Sequence, residues 1–421
     1  MKIILVTAYT PTPENVKGPS AMMYHLLKSK PDNCKMKTYS LNVNKVSSGK
    51  SKLYANQMKS EISIIKDSAY NFLHKRHTLA ELRLALKIDQ SYGESNYCLP
   101  KKYIKEIEDY KPDIVFLYYG IYVKIAKQLS KFNLVVCGYD CFPLHYNRLL
   151  KNSFCYKNES NYKEALNNYK ISIYRELQYK DVTARKFYVG IEDCMYYSKI
   201  TQKTNFKFYP HPHFDLVDKD ISLNKNRLNI IISGKFDEYT YSDSCELLGA
   251  LLKSSDNLKS NISITFLGQG WESICNELIV KGYYVEHKRW VDVYVDELVK
   301  YDIQIFPISV GSGTKGKVLD ALAAGLLVIG SDVALENIYV KHNHSCLIYK
   351  KVVDVCDMLN DIYIKRTEYR QIAENGRSQV RKWHNPNRIF NLIVKNEIER
   401  SDSYSGIGEY IAVTSKLESI I

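Results

Sequence analysis

The stretch with the clearest chemistry in this 421-residue chain is Pro307-Ile308-Ser309-Val310-Gly311-Ser312-Gly313-Thr314-Lys315-Gly316-Lys317-Val318-Leu319-Asp320-Ala321-Leu322-Ala323-Ala324-Gly325. A strand end runs into a loop carrying Gly311 and Gly313, and a helix pattern begins near Thr314. Glycine lets the backbone approach a ligand closely, and free N–H groups at the positive end of a helix favour phosphate. Lys315 and Lys317 fall in the first turn, where a cation is disfavoured unless an anion lies close by. Lys317 and Asp320 sit three residues apart on one helical face, so both can address one ligand. A carboxylate there suits a ribose diol, because it accepts both hydroxyl hydrogens. No Gly-Lys-Ser/Thr closes the loop, which disfavours a nucleotide-triphosphate motor. A generic glycine loop with a solvated lysine pair has the same residues, so the loop alone does not decide.

The surrounding elements say what must hold this loop. Lys2 to Thr7 reads as a buried strand, followed by a Pro-containing loop and a helix that opens at Gly18-Pro19-Ser20. Strand, glycine-bearing loop and helix form the opening unit of a doubly wound α/β domain. Short apolar runs at 114–118, 134–137 and 186–189 continue the pattern of buried parallel strands. Residues 44–90 are polar and give no clear period, and a stiff segment, Tyr209-Pro210-His211-Pro212-His213, precedes a polar stretch from Asp218 to Lys225. His211 and His213 read as hinge residues, and Glu192-Asp193 as an ordinary helix start. A second series begins with strand 228–233, closed by Gly234-Lys235, and continues through 262–267, 303–307 and 326–329. Gly325 stops the helix that follows the glycine loop. Two α/β domains result: residues 1–215, residues 216–385, and a helical tail, 386–421, that returns to the first.

Composition narrows the setting. Hydrophobic residues make up 45% and charged residues 25%, as in an ordinary globular protein. No apolar run approaches a membrane span, and the first strand is too short for a signal peptide, so a cytoplasmic location is expected. The ten cysteines are scattered without a CxxC pair, which points to reduced thiols rather than a metal site. A net charge of +13 calls for an anionic partner. Nucleic acid is disfavoured, since no zinc-finger spacing, RNP-like strand or arginine-rich arm occurs. A nucleotide diphosphate, a lipid-linked acceptor and an anionic membrane surface remain.

Residues Pro307 to Val328 resemble the glycosyltransferase family 4 group, in its bacterial polysaccharide branch, whose pattern is P-x-x-x-G-S-G-T-[RK]-x-K-x-L-E-A-M-A-x-G-x-P-V. Asp320, Leu322 and Leu327 depart from it. Weaker similarities lie at Gly330 to Ile338, at Val135 to Asp140, at Tyr174-Arg175-Glu176 and at Trp383. The resemblance implies the GT-B fold: two facing Rossmann-like domains with a deep interdomain cleft. It further implies sugar transfer from a nucleoside diphosphate sugar to a glycan or lipid-linked acceptor. Retention of configuration, no cofactor and no metal are expected, in surface polysaccharide or glycoconjugate synthesis, with peripheral contact at the inner face of the membrane.

By the same resemblance Asp320 stands for the glutamate that holds the donor ribose, one methylene shorter. Ser312 occupies the place of a second family glutamate, leaving the amides of Gly311 to Thr314 to meet the donor. Lys235 would take the diphosphate, with Lys317 or Lys315 as a second cation, since charge on the leaving group is the main lever without a metal. Arg289 and Trp290 fall where the family binds the base. Gly18 and Ser20 would face the cleft from the first domain. Asp140 is the candidate acceptor-side or catalytic group. Two rivals stay open at this point: a GT-B sugar-nucleotide epimerase, and a non-catalytic glycan- or membrane-binding subunit using basic segments such as Phe72-Leu73-His74-Lys75-Arg76.

Overall fold

The computed structural model describes residues 1–13, 18–67, 96–118, 120–138, 140–156, 158–202, 206–213, 223 and 226–396. Strands β1 (Lys2–Thr7), β2 (Lys35–Ser40), β3 (Ser60–Ile64), β4 (Ile114–Tyr118), β5 (Leu134–Cys137), β6 (Arg185–Tyr188) and β7 (Phe206–Phe208) form one sheet. Its order is β3-β2-β1-β4-β5-β6-β7, and each neighbouring pair is parallel. Strands β8 (Leu228–Ser233), β9 (Ile262–Leu267), β10 (Tyr284–Lys288), β11 (Ile303–Phe306), β12 (Leu327–Gly330) and β13 (Leu347–Ile348) form a second sheet. Its order, β10-β9-β8-β11-β12-β13, is again parallel throughout.

Parallel strands need crossover helices, and these cover both faces. On the first sheet they are α1 (Gly18–Lys28), α2 (Ser48–Gln57), α3 (Lys101–Tyr110), α4 (Val123–Leu129), α5 (Phe142–Leu150), α6 (Ser153–Tyr156), α7 (Glu159–Leu177) and α8 (Ile191–Thr201). On the second they are α9 (Tyr241–Lys253), α10 (Asp256–Asn261), α11 (Glu272–Val280), α12 (Tyr294–Leu298), α13 (Gly316–Ala324), α14 (Asp332–Leu335), α15 (Asp354–Ile364) and α16 (Arg366–Trp383). The central strands bury both faces, which is why β1, β4 and β11 read as near-continuous apolar runs. Among the described residues no helix is long and apolar enough to cross a membrane.

A last helix, α17 (Pro386–Lys395), leaves the second sheet and packs on the first. Its Ile389, Phe390 and Ile393 are buried among Ile3, Leu5, Met22 and Leu26. The chain therefore crosses between the sheets twice. The two crossings are stitched together, His213 N donating to His384 O at 2.7 Å.

Several expectations shift. The strand expected at 186–189 is one residue earlier, and the helix after the glycine loop begins at Gly316 rather than Thr314. Lys315 still has an extended backbone (ψ 102°), so the helical turn closes only after it. Gly325 ends that helix at φ 83°, in the left-handed region where glycine is favoured. The polar region 44–90 contains α2 and β3, and β2 runs through Lys35-Met36-Lys37-Thr38-Tyr39-Ser40. Their polar residues hid them: Thr38 and Ser40 are buried as hydrogen-bonding groups, not as apolar ones. Phe72 to Arg76, most of 218–225 and residues 397–421 lie outside the described residues.

Candidate active site

In a doubly wound sheet, ligands bind beyond the carboxyl ends of the strands where the strand order reverses. In the second sheet that point lies between β8 and β11. Beyond β8 come Gly234 and Lys235, and beyond β11 the glycine loop leads to α13. The two segments face each other across a solvent-open cleft of about 580 Å³, lined by Gly234, Lys235, Arg289, Trp290, Tyr294, Lys317 and Asp320, and by Pro13 of the first domain.

Packing holds the Lys235 turn in place. Trp271 Nε1 donates to Gly234 O at 2.8 Å, and a Cβ on Gly268 would lie only 2.0 Å from that same oxygen. Only a glycine at 268 lets the β8 and β9 loops approach this closely. Lys235 is exposed at the mouth of the cleft. Lys317 runs along its wall, Nζ 5.6 Å from the centre of the Tyr294 ring. Its side chain is open to the cleft, yet the surrounding protein lowers its pKa by desolvation, against the pull of Asp320 and Asp237. Trp290 is 73% exposed, an indole presented to the cleft rather than to a core. Arg289 pairs with Glu272 at 2.9 Å. Asp320 is 2% exposed, and its Oδ1 lies 2.8 Å from Nε2 of His213.

The glycine loop itself faces the first domain. Gly313 N donates to both carboxylate oxygens of Asp193 at 3.0 and 3.1 Å, and Thr314 Oγ1 donates to Val189 O at 2.6 Å. Asp193 Oδ1 also accepts from Cys141 N at 2.6 Å. Arg148 grips Glu336 through both guanidinium arms, at 2.7 and 2.8 Å, and donates to Gly311 O. Lys315 bonds the same Glu336 at 2.5 Å. Ser312 is half-buried in this loop.

These contacts revise the sequence reading. Lys315 is committed to Glu336, so Lys317 is the lysine of this turn that reaches the cleft. The amide of Gly313 holds a first-domain carboxylate rather than standing open to a donor. Asp193 is no ordinary helix-start residue; it is fully buried between the domains. Burial first, and Glu336 second, push its pKa up to about 6, while the amides of Cys141 and Gly313 and the charge of Lys315 oppose them. For Glu336 burial alone would raise the pKa, but Lys315 and Arg148 outweigh it and hold the group low.

On the first-domain side Asp140 follows β5 and lines a small pocket with Gly138, Phe142, Glu176 and Lys186. Desolvation, with Asp193 adding to it, raises its pKa to about 8 against the charge of Lys315. Lys186 pairs with Glu176 at 2.5 Å and lies 3.9 Å from the centre of the Tyr179 ring. Ser20 is buried and hydrogen-bonded to Thr12 at 2.8 Å, so it braces the loop whose Pro13 lines the cleft. Gly18 opens α1. Trp383 stacks on Tyr339 at 5.2 Å, a packing role. Glu336 falls in the stretch 330–338 that resembles the family, with no role assigned to it there, while His213, Asp193 and Arg148 go unmarked as site residues in the sequence. Only their partners far along the chain give them meaning, and no local pattern marks such pairs.

Residues 246–395 match the family model described as glycosyl transferase-like. No curated protein sequence matches the chain. Among solved structures the chain is similar to HepE of Anabaena in complex with UDP, with TM-score 0.62 and 12% identity over 94% of this chain and 99% of that one. It is also similar to sucrose-phosphate synthase from Thermosynechococcus elongatus, with TM-score 0.64 and 12% identity over 94% and 98%. A third is the lipopolysaccharide outer core galactosyltransferase WaaB, with TM-score 0.57 and 13% identity over 94% and 99%. The fold is GT-B. The second domain, which carries the glycosyl transferase-like match, is the half that holds Lys235, Lys317 and Asp320.

Proposed function

We propose that the chain transfers a sugar, with retention of configuration, from a nucleoside diphosphate sugar to a glycan or lipid-linked acceptor. The observation that carries this reading is the convergence of Lys235, Lys317 and Asp320 on one cleft at the switch point of the second sheet. HepE has been captured with UDP-glucose, which supports a donor of this class. Lys235 and Lys317 would neutralise the diphosphate as the bond from the sugar C1 to the phosphate oxygen breaks. Asp320 would accept from the ribose hydroxyls, and the exposed face of Trp290 would stack on the base. The acceptor oxygen forms the new bond to C1, and its proton passes to the departing phosphate oxygen. In this scheme the chain's own cations hold the diphosphate, so no metal is required. Synthesis of a surface polysaccharide or glycoconjugate is the setting we favour, and the +13 charge fits contact with an anionic membrane.

Thermal denaturation with UDP-, GDP-, ADP- and CMP-sugars tests the donor class. At one hundred times Kd a true donor adds about 2.7 kcal/mol of stability. Lys235→Ala should remove most of that shift. The proposal fails if no nucleotide sugar raises the melting temperature, or if the shift survives loss of both Lys235 and Lys317. Anomeric analysis of the product decides retention.

A further inference from the structure

Asp320 lies at the end of a chain of contacts that runs back to both interdomain crossings. Its Oδ1 is 2.8 Å from Nε2 of His213, and both side chains are almost wholly buried. A carboxylate has no proton to offer, so Nε2 carries the hydrogen and donates it. His213 sits on the first crossing, 107 residues from Asp320 in sequence. Its backbone N–H is fixed to His384 O at 2.7 Å, on the second crossing. The ring of His384 returns the contact, with Nδ1 2.8 Å from His211 O. That carbonyl only accepts, so Nδ1 of His384 is the donor.

The first-domain part of the cleft lining is held by the same kind of group. His25 of α1 places Nε2 3.0 Å from Pro13 O, and Pro13 lines the same cleft as Asp320. Burial lowers His25 to about 3, His211 to about 4 and His384 to about 3. These three histidines are therefore neutral imidazoles that act by geometry, not by charge.

We infer that His213 is a positioning residue: it fixes the carboxylate of Asp320 in the donor cleft and so ties donor binding to the geometry of the interdomain crossings. The inference rests on the donor reading above. Asp320 is short, and a carboxylate on a short stem reaches a ligand only from a well-defined rotamer. An imidazole held rigid at its backbone supplies that definition. His213 touches no reacting atom and acts through Asp320.

The test is a double-mutant cycle on the full chain, with UDP, GDP and ADP as probes in isothermal titration. Far-ultraviolet circular dichroism of every variant confirms folding. Loss of a hydrogen bond to a charged group should weaken nucleotide binding about tenfold in His213→Ala. His213→Gln, whose amide nitrogen can donate from a similar position, should stay within about threefold of the unaltered chain. Asp320→Ala should bind weakly, and adding His213→Ala should weaken it no further, because the imidazole has nothing left to position. In steady-state assays His213→Ala should raise the donor KM and leave kcat nearly unchanged. Additive losses across the cycle would overturn the inference, as would a folded His213→Ala that binds nucleotide like the unaltered chain. If the unaltered chain binds none of the three nucleotides, the donor reading fails first and takes this inference with it. If it binds one and Asp320→Ala binds equally well, the cleft stands and the positioning role is refuted.

Discussion

Replacing Asp140 by asparagine should make the protein more stable at neutral pH, although the substitution lies in the candidate active site. The carboxyl of Asp140 has its pKa raised to about 8, by burial first and by the neighbouring Asp193 second. In the unfolded chain it ionises near an ordinary value of about 3.9. A raised pKa means that the folded state holds the proton more tightly. The group's contribution to stability is therefore complete below about pH 4 and is lost as pH rises towards 8. At pH 7 the loss amounts to about 1.4 kcal/mol for each of roughly three pH units, or about 4 kcal/mol at most. Relaxation around a newly formed charge recovers part of the cost, so about 2–4 kcal/mol is expected. Asparagine does not titrate and keeps the shape. Urea unfolding of both proteins at pH 5, 6, 7 and 8 measures the gap, and all other titrating groups cancel to first order. The gap should favour Asp140→Asn at pH 7 and shrink steadily towards pH 5, while sugar transfer falls, the trade expected of a functional group kept at a cost. A variant no more stable than the unaltered protein at pH 8 would refute the reasoning, because the carboxylate would then be well supported when ionised.

Two further outcomes follow from the interdomain contacts and the returning helix. Arg148→Ala removes both guanidinium bonds from the nearly buried Glu336 and leaves Lys315 as its remaining cation. Breaking a buried pair costs about 3–5 kcal/mol, and the lysine should hold the loss near the lower end; the urea midpoint reads it. Phe390→Ala empties a site that is 1% exposed in the first-domain core, so a loss of about 3–5 kcal/mol should appear in chemical denaturation.

Much of the architecture is readable from the chain because parallel strands buried on both faces are apolar for most of their length. Strands β1, β4, β5, β8, β9 and β11 show this directly. Edge or near-edge strands are less visible: β10, Tyr284-Val285-Glu286-His287-Lys288, buries little and looks like a loop. The second-domain lining of the cleft is legible for a related reason. Lys317, Asp320 and Gly325 lie within one loop and helix, so local spacing fixes their relation. Lys235 follows from its position after a strand that heads the second domain. The contacts between domains are not legible in this way. Asp193 meets Gly313 across 120 residues, and Arg148 meets Glu336 across 188. Nothing in a one-dimensional pattern distinguishes such an aspartate from one that caps a helix. Lys315 shows the reverse error: its spacing qualifies it for the cleft, and Glu336 draws it away.

The return of α17 to the first sheet also sets the order in which the molecule can be finished. Three apolar side chains of the first-domain core, Ile389, Phe390 and Ile393, leave the ribosome after every strand of the second sheet. Domains usually complete themselves as they emerge. Here the first domain waits, with one flank uncovered, until the second has been made.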